Sequence, residues 1–251
     1  MDFSLLFLIP LSFICEFIDS SFGMGYGTIL TPLLLLCGFE PLQIVPAILV
    51  SEFATGAFAA FSHHRCKNVT FHKKSIDTKV AFALSIFAII GTFIAVPLTI
   101  YLPVKTIKLI ISIIVISMSI VILATFKIKP HFTWLKLTIF GIAAAFNKGI
   151  SGGGYGPLVM GGQILSGVGV KNAIAITSFS ESIACFVGVI LYIIFDKVIA
   201  WNLAFFLVIG GLLSVPFAVL TVKKIYEKNI KILTAFVIFI LGLVSLLKEI
   251  M

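Results

Sequence analysis

Long apolar runs separated by short charged loops constrain the fold of this chain more than any other feature. The runs 80–102, 104–126 and 230–247 each reach or nearly reach the roughly 20 residues that a helix needs to cross a bilayer core. Only 11% of the residues are charged, whereas a soluble domain carries about 25%. The chain has too little polar surface for a water-soluble fold, so the sequence predicts an all-α polytopic membrane protein.

Breaks at glycine, proline and charge clusters divide the chain into ten predicted helical pieces. The second and seventh are only about 13 residues long, and each follows a glycine cluster. Because they are too short to cross a bilayer upright, we expect half-helices or the returning arms of re-entrant hairpins. The predicted pieces are 3–21, 26–38, 41–63, 78–101, 104–126, 132–148, 154–167, 170–195, 199–221 and 229–249.

The basic residues mark one side of the membrane. Most of the 18 lysines and arginines lie in alternate loops, those after the third, fifth, seventh and ninth pieces. The positive-inside rule assigns that side to the cytoplasm. We therefore expect a multi-pass protein of the cytoplasmic (inner) membrane with both termini outside. The net charge of +8 is then a topology signal, and the sequence predicts no nucleic-acid partner.

An internal repeat relates the two halves. A shift of 129 residues aligns eight identical residues without gaps, where this biased composition would give about two or three by chance. Each half has an odd number of pieces, so the second enters the membrane from the opposite face, as in many secondary transporters. We predict an N-terminal transmembrane repeat, 1–126, and an inverted C-terminal repeat, 127–251, in one membrane domain. The matched pairs are Gly23/Gly152, Gly25/Gly154, Tyr26/Tyr155, Gly27/Gly156, Leu36/Leu165, Gly38/Gly167, Ser51/Ser180 and Glu52/Glu181.

The glycine clusters at 20–27 and 151–156 are the first candidate site. Such glycines let the backbone leave the helix, and the next helix then begins with unpaired amides and a positive dipole end. That end suits an anion. The alternative is that the glycines only allow close helix crossing. The predicted substrate contacts are Gly25, Tyr26, Gly27, Asn147, Lys148, Ser151, Gly154, Tyr155 and Gly156.

Glu52 and Glu181 form the second candidate site, because each lies near the centre of its predicted span. A charged side chain there costs about 2.5–3.5 kcal/mol on insertion scales, so a repeated pair indicates a role. Two roles stay open: carrying protons during transport, or accepting hydrogen bonds that hold the glycine turns.

Lys148 breaks the symmetry of the repeat, because its equivalent in the first half is Asp19. Three placements are open for this lysine: facing the anion, pairing with Asp19, or extending to the outer membrane interface. The four histidines, His63 among them, are expected at the interface on the cytoplasmic side. The four cysteines are scattered, so the sequence predicts neither a metal site, a disulfide framework nor a cofactor.

Two other classes of function compete with an anion carrier. One is a cation or metal carrier that uses the paired glutamates as ligands. The other is an intramembrane serine hydrolase, since Gly149-Ile150-Ser151-Gly152 fits a GxSG pattern. Such enzymes need a histidine base on a later helix, and no histidine follows His131. We therefore predict that the protein is not an enzyme.

These motifs resemble the TauE/SafE family of sulfite and organosulfonate exporters. The resemblance rests on Gly23-Met-Gly-Tyr-Gly27 running into Thr31-Pro32-Leu33, on the helix 46–61 with Glu52, and on 152–157 through Glu181. It implies export of a small sulfur-containing or carboxylate anion by a secondary mechanism. The substrate, the proton coupling and the oligomeric state, possible homodimer included, stay open. The second half departs from the motif with Met160-Gly161 in place of Thr-Pro, so the halves are expected to contribute unequally.

Overall fold

The structure, a computed structural model, describes residues 5–72, 75–124, 133–195, 197–222, 236, 239–244 and 246–247. Within these ranges the chain forms helices and no strands. The predicted piece 229–249 lies largely outside the described residues. The helices are α1 (Leu8–Phe22), α2 (Tyr26–Leu36), α3 (Pro41–Arg65), α4 (Ile76–Tyr101), α5 (Val104–Ala124), α6 (Trp134–Ser151), α7 (Tyr155–Leu165), α8 (Val170–Ile194) and α9 (Trp201–Thr221).

Each glycine cluster ends one helix and begins a short one. Gly23 and Gly152 both adopt φ 69° and terminate α1 and α6, a left-handed conformation that other residues disfavour. Gly25 and Gly154 also have positive φ and precede α2 and α7. Both short helices are present, at 11 residues each.

The helix boundaries follow the offset found in the sequence. Both ends of α2 and α7, and both ends of α3 and α8, are related by 129 residues. The predicted end of the sixth piece at 148 is wrong, because α6 continues to Ser151. Lys148 therefore lies inside a helix, with its side chain fixed by helical geometry rather than by a loop.

Four of the described helices are long and apolar enough to cross a membrane, namely α3, α4, α8 and α9. The closest packing pairs α1 with α9 and α4 with α6, while α3 lies against both α8 and α9. Large apolar side chains such as Phe82, Phe93 and Phe217 stay exposed on outer faces, as a lipid-facing surface requires. The chain is a multi-pass membrane protein.

Ionisable side chains collect in the interior of the helix bundle. Glu16, Asp19, Glu52, Lys148 and Glu181 are each at most 8% exposed. Charges inside a membrane protein are costly and mark functional positions. The packing of α1, α3, α6 and α8 therefore defines where the site lies.

Candidate functional site

Lys148 lies at the centre of the buried charges. Its side chain is 0% exposed, and its Nζ forms ion pairs with Glu52 Oε2 on α3 and, at 2.8 Å, with Glu181 Oε1 on α8. The two predicted intramembrane glutamates thus meet at one ammonium group. Lys148 extends neither to the membrane interface nor to Asp19, and its pairing with the two glutamates is not among the three placements that the sequence left open.

The three charges of Lys148, Glu52 and Glu181 form a triad that is stable only when all three are present. Each charge taken out of water costs several kcal/mol, and pairing offsets that cost only when the geometry is good. Removing one member of such a pair leaves an uncompensated buried charge, at about 3–5 kcal/mol. Lys148 therefore stabilises the approach of Glu52 to Glu181, which would otherwise repel each other.

The N-terminus of α2 is occupied by the protein's own carboxylates. Tyr26 N donates a hydrogen bond to Asp19 Oδ1 at 3.2 Å, and Gly27 N donates to Glu52 Oε1 at 3.3 Å. Carboxylates at this end of a helix also interact favourably with its dipole. Glu52 thus holds the glycine turn, because its Oε1 accepts the hydrogen bond from Gly27 N. Its Oε2 binds Lys148.

The N-terminus of α7 has a different environment. Among the described residues, no side chain accepts a hydrogen bond from the amide of Tyr155 or Gly156, and Pro157 has no amide hydrogen. Glu181, the equivalent of Glu52, is turned towards Lys148 instead. Lys148 therefore precedes the α6–α7 turn at the repeat position where Asp19 precedes the α1–α2 turn.

The two glycine turns also pass each other at backbone distance. A Cβ on Gly156 would lie 2.5 Å from Gly23 O and 2.7 Å from Met24 Cα, and a Cβ on Gly27 would overlap the carbonyl group of Gly152. These are reciprocal contacts, since the offset relates Gly27 to Gly156 and Gly23 to Gly152. The contacts therefore support the close-crossing explanation of the glycines.

Ser151 stabilises the α6–α7 turn. Its Oγ lies 2.8 Å from Asn147 O and accepts a hydrogen bond from Gly153 N at 3.0 Å. Thr31 Oγ1 of α2 donates to Ser151 O at 2.8 Å, which ties the two turns together. Asn147 is half-buried on α6. The Ser151 hydroxyl is directed at backbone carbonyl groups, and this geometry gives no support to a hydrolase.

A metal site also lacks support in the described part of the chain. It contains no group of three or more His, Cys, Asp or Glu side chains that could hold a metal ion. The ammonium group of Lys148 already fills the space between Glu52 and Glu181. A carried cation would have to displace it.

His63 was expected at the cytoplasmic end of its helix, and it lies in the last turn of α3, but its side chain is buried, at 0% exposed. Its Nε2 lies 3.0 Å from Ser20 O, and its Nδ1 lies 3.0 Å from Asn68 Nδ2. An amide nitrogen can only donate, so Nδ1 accepts and Nε2–H donates to the carbonyl group. Asn68 also donates to Val219 O at 3.3 Å. His63 thus links the ends of α1, α3 and α9.

Sequence reasoning missed two further groups near the site. Cys185 Sγ lies 3.7 Å from Glu52 Oε2, and Glu16 is buried on α1. The position of Glu16, one turn before Asp19 inside an apolar piece, was a signal comparable to that of Glu52. It was missed because Glu16 has no counterpart in the second half.

Buried charges beside two broken helices define the class of the protein: a multi-pass membrane transporter. Residues 8–245 match the family described as "Sulfite exporter TauE/SafE", and the chain belongs to this family. The resemblance seen in the glycine motifs is confirmed. The chain is also similar to "Probable membrane transporter protein YtnM" of Bacillus subtilis (strain 168), with 25% identity over 247 residues, covering 93% of this chain and 80% of that protein. No solved structure matches the chain.

Proposed function

We propose that the chain exports a small anion, such as sulfite or an organosulfonate, across the cytoplasmic membrane by a secondary mechanism. The observation that carries this proposal is a buried cation in the turn before a helix start that no carboxylate caps among the described residues. Lys148 lies in the last turn of α6, which leads into α7, and among the described residues no carboxylate accepts from the amides of Tyr155 and Gly156. The family to which the chain belongs supports the class of substrate.

The first half indicates how the anion binds in the second. At α2, the Asp19 carboxylate accepts a hydrogen bond from Tyr26 N. The offset of 129 places Lys148 and Tyr155 at the equivalent positions. The substrate takes the place at α7 that the Asp19 carboxylate takes at α2, with the amides of α7 and the ammonium group as donors. Sulfite, sulfonates and carboxylates all present the acceptor oxygens that this place requires.

The packing supports two hairpins that enter the membrane from opposite sides. A cavity of about 400 Å³ is lined by Leu5, Phe39 and Gln43, so the start of α1, the end of α2 and the start of α3 share one end of the bundle. At the other end, Asn172 of α8 donates to Asp77 of α4 at 2.7 Å, and Gln163 of α7 lies 3.3 Å from Ala173 O. The α1–α2 and α6–α7 hairpins then meet at their tips, as inverted repeats require.

The orientation follows from charge. The end of α3 carries Arg65, and Lys67 follows it, so the positive-inside rule assigns that end to the cytoplasm and the termini to the outside. An inside-negative membrane potential then favours export by about 2.3 kcal/mol per charge per 100 mV. Binding from either side requires the hairpin tips to separate, since Lys148 is fully buried.

The test is flux of radiolabelled sulfite in proteoliposomes under an imposed potential, with competition by taurine-like sulfonates. Lys148→Met is compared with Lys171→Met, which removes an exposed lysine at the start of α8. We expect flux that follows the potential in wild type and Lys171→Met and is lost in Lys148→Met. Equal flux in both variants would contradict the site, and absence of flux for sulfite, sulfonates and carboxylates in folded wild type would contradict anion export.

A further inference from the structure

Glu16 occupies a buried position between three helices. It lies on α1, is 2% exposed, and its Oε1 accepts a hydrogen bond from Ser20 Oγ at 2.6 Å. In the described part of the chain, Glu16 Oε2 and the hydroxyl group of Thr55 make no hydrogen bond of good geometry, although the two side chains lie close enough to interact. Both side chains pack on Gly211 of α9, where an added Cβ would lie 2.6 Å from Thr55 Cγ2 and 3.7 Å from Glu16 Cγ. The missing side chain at Gly211 makes room for them.

Within the described residues, no cation forms an ion pair with Glu16. Lys148 is already bound by Glu52 and Glu181, and Asp19 and Glu181 lie close enough to Glu16 to repel it. The titratable side chains on the helices around Glu16 are Cys15 and Asp19 on α1, Tyr26 on α2, Glu52, His63, His64 and Arg65 on α3, and Lys171, Glu181, Cys185 and Tyr192 on α8, while α9 carries none. A buried unpaired carboxylate costs several kcal/mol, and a bound proton removes that cost.

A proton fits this place better than a metal ion. A hard cation takes about six or more oxygen ligands, whereas a carboxyl group binds a proton with one oxygen. Glu16 offers that oxygen in Oε2, while Ser20 continues to donate to Oε1. Thr55 Oγ1, which also makes no hydrogen bond of good geometry, is the neighbouring acceptor for the proton.

The second half shows that the fold does not need an acid here. The position equivalent to Glu16 is Ala145, which is 0% exposed and packs against Gly91 of α4. Where α6 crosses α4 at this position, the only side-chain group of the residue is the methyl group of Ala145. Packing therefore does not explain the carboxyl group in the first half.

We propose that Glu16 binds a proton that is taken up and released once per transport cycle. This inference rests on the proposed anion export, because its effect passes to the anion site through neighbouring charges. One turn along α1, Asp19 binds the first amide of α2, and Glu181 pairs with Lys148. Protonation of Glu16 removes a negative charge near that site and so favours anion binding. The proton comes from water on one side, returns to water on the other, and moves in the same direction as the anion. A doubly charged anion such as sulfite then still carries one net negative charge, so the membrane potential still favours its export.

Two measurements test this inference on the full-length protein. The first is the pH-induced infrared difference spectrum, in which a buried protonated carboxyl group has its own C=O stretching band. We expect this band in wild type and in Glu40→Gln, which removes an exposed carboxylate before α3, and its loss in Glu16→Gln. The second is flux of labelled methanesulfonate, which does not itself titrate, driven by a pH gradient or by a potential. In Glu16→Gln the pH-driven flux should fall about tenfold, the size of a typical coupling between sites, while potential-driven flux remains.

Each outcome decides between the two proposals. An unchanged infrared band, or pH-driven flux in Glu16→Gln equal to wild type, overturns the assignment of the proton to Glu16. If folded wild type moves no anion, the export proposal fails, and the infrared comparison alone decides the proton site. Glu16→Ala, which copies the packing around Ala145, guards against misfolding: it should elute like wild type and show the same two losses.

Discussion

The two glycine turns have the same backbone and opposite charge. The α1–α2 turn and the α6–α7 turn share φ 69° at their first glycine, and α2 and α7 have equal lengths. One turn follows Asp19 and the other follows Lys148. The first is capped by Asp19 and Glu52, whereas no carboxylate caps the second among the described residues. The backbone geometry is therefore the duplicated scaffold, and the difference in charge is where we locate function.

The contacts between the turns support this division. Gly27 approaches Gly152 while Gly156 approaches Gly23, so the crossing is the same in both directions. The charged contacts have no such symmetry, because Glu52 binds both Gly27 N and Lys148 whereas Glu181 binds Lys148. We attribute the symmetric glycine contacts to folding of the scaffold and the asymmetric charged contacts to binding of the substrate.

Removing the charge at the second turn should have the largest effect. Lys148→Met leaves Glu52 and Glu181 without their shared cation, at about 3–5 kcal/mol of unfolding free energy. We expect loss of sulfite binding and flux, measured by calorimetry in detergent and by proteoliposome flux. Lys148→Arg, which keeps the charge, separates the effect on stability from the effect on binding: it should remain folded and recover part of the affinity. Full flux in a folded Lys148→Met protein would contradict the assignment of anion binding to the charge before the α6–α7 turn.

The crossing can be broken without touching a charge. Gly156→Ala places a methyl group 2.5 Å from Gly23 O, and overpacking of this kind costs about 1–3 kcal/mol or more. Gly167→Ala is the control, because its positive φ costs about 1–2 kcal/mol while its surroundings are open. Thermal unfolding should show comparable destabilisation, but only Gly156→Ala should lose flux. Equal flux in both would show that the tips need not pack at backbone distance.

Much of this scaffold could be predicted from the sequence. Hydropathy predicted the membrane class, and the glycine clusters predicted the two short helices. The repeat showed that Glu52 and Glu181 occupy equivalent positions. Each is a local or periodic signal, so one chain is enough to read it. The family resemblance came from the same motifs.

The partners of Lys148 could not be predicted in this way. The sequence places a residue along its own helix but not the rotation of that helix against its neighbours, which packing sets. Three placements of Lys148 therefore stayed open until α3, α6 and α8 were seen together. The burial of His63 was not predicted for the same reason, because it depends on Ser20, Asn68 and Val219 from other parts of the chain.

The two glutamates should differ in effect. Glu52→Gln keeps an acceptor for Gly27 N but loses the ion pair with Lys148, and it also disturbs the α2 turn. Glu181→Gln loses only the ion pair. A hydrogen bond to a charged group contributes about 1.5–3 kcal/mol, so we expect flux to fall in both and further in Glu52→Gln. Flux assays on both variants, beside Glu40→Gln, measure this order. Normal flux in both glutamine variants would contradict their place in the site.

The smallest expected effect is at Asp19, and its sign is the most informative. Asp19→Asn keeps an oxygen that accepts from Tyr26 N, so α2 stays capped. It removes a negative charge within electrostatic reach of Lys148 and Glu181, and so strengthens the field that an anion meets at α7. We expect sulfite to bind a few-fold more tightly, since charges near a protein surface or interior interact by about 1–4 kcal/mol before screening. Calorimetric titration against wild type measures this change. Weaker binding in Asp19→Asn would mean that the anion depends on the first turn as well, because the loss of a negative charge can weaken anion binding only through a change at that turn.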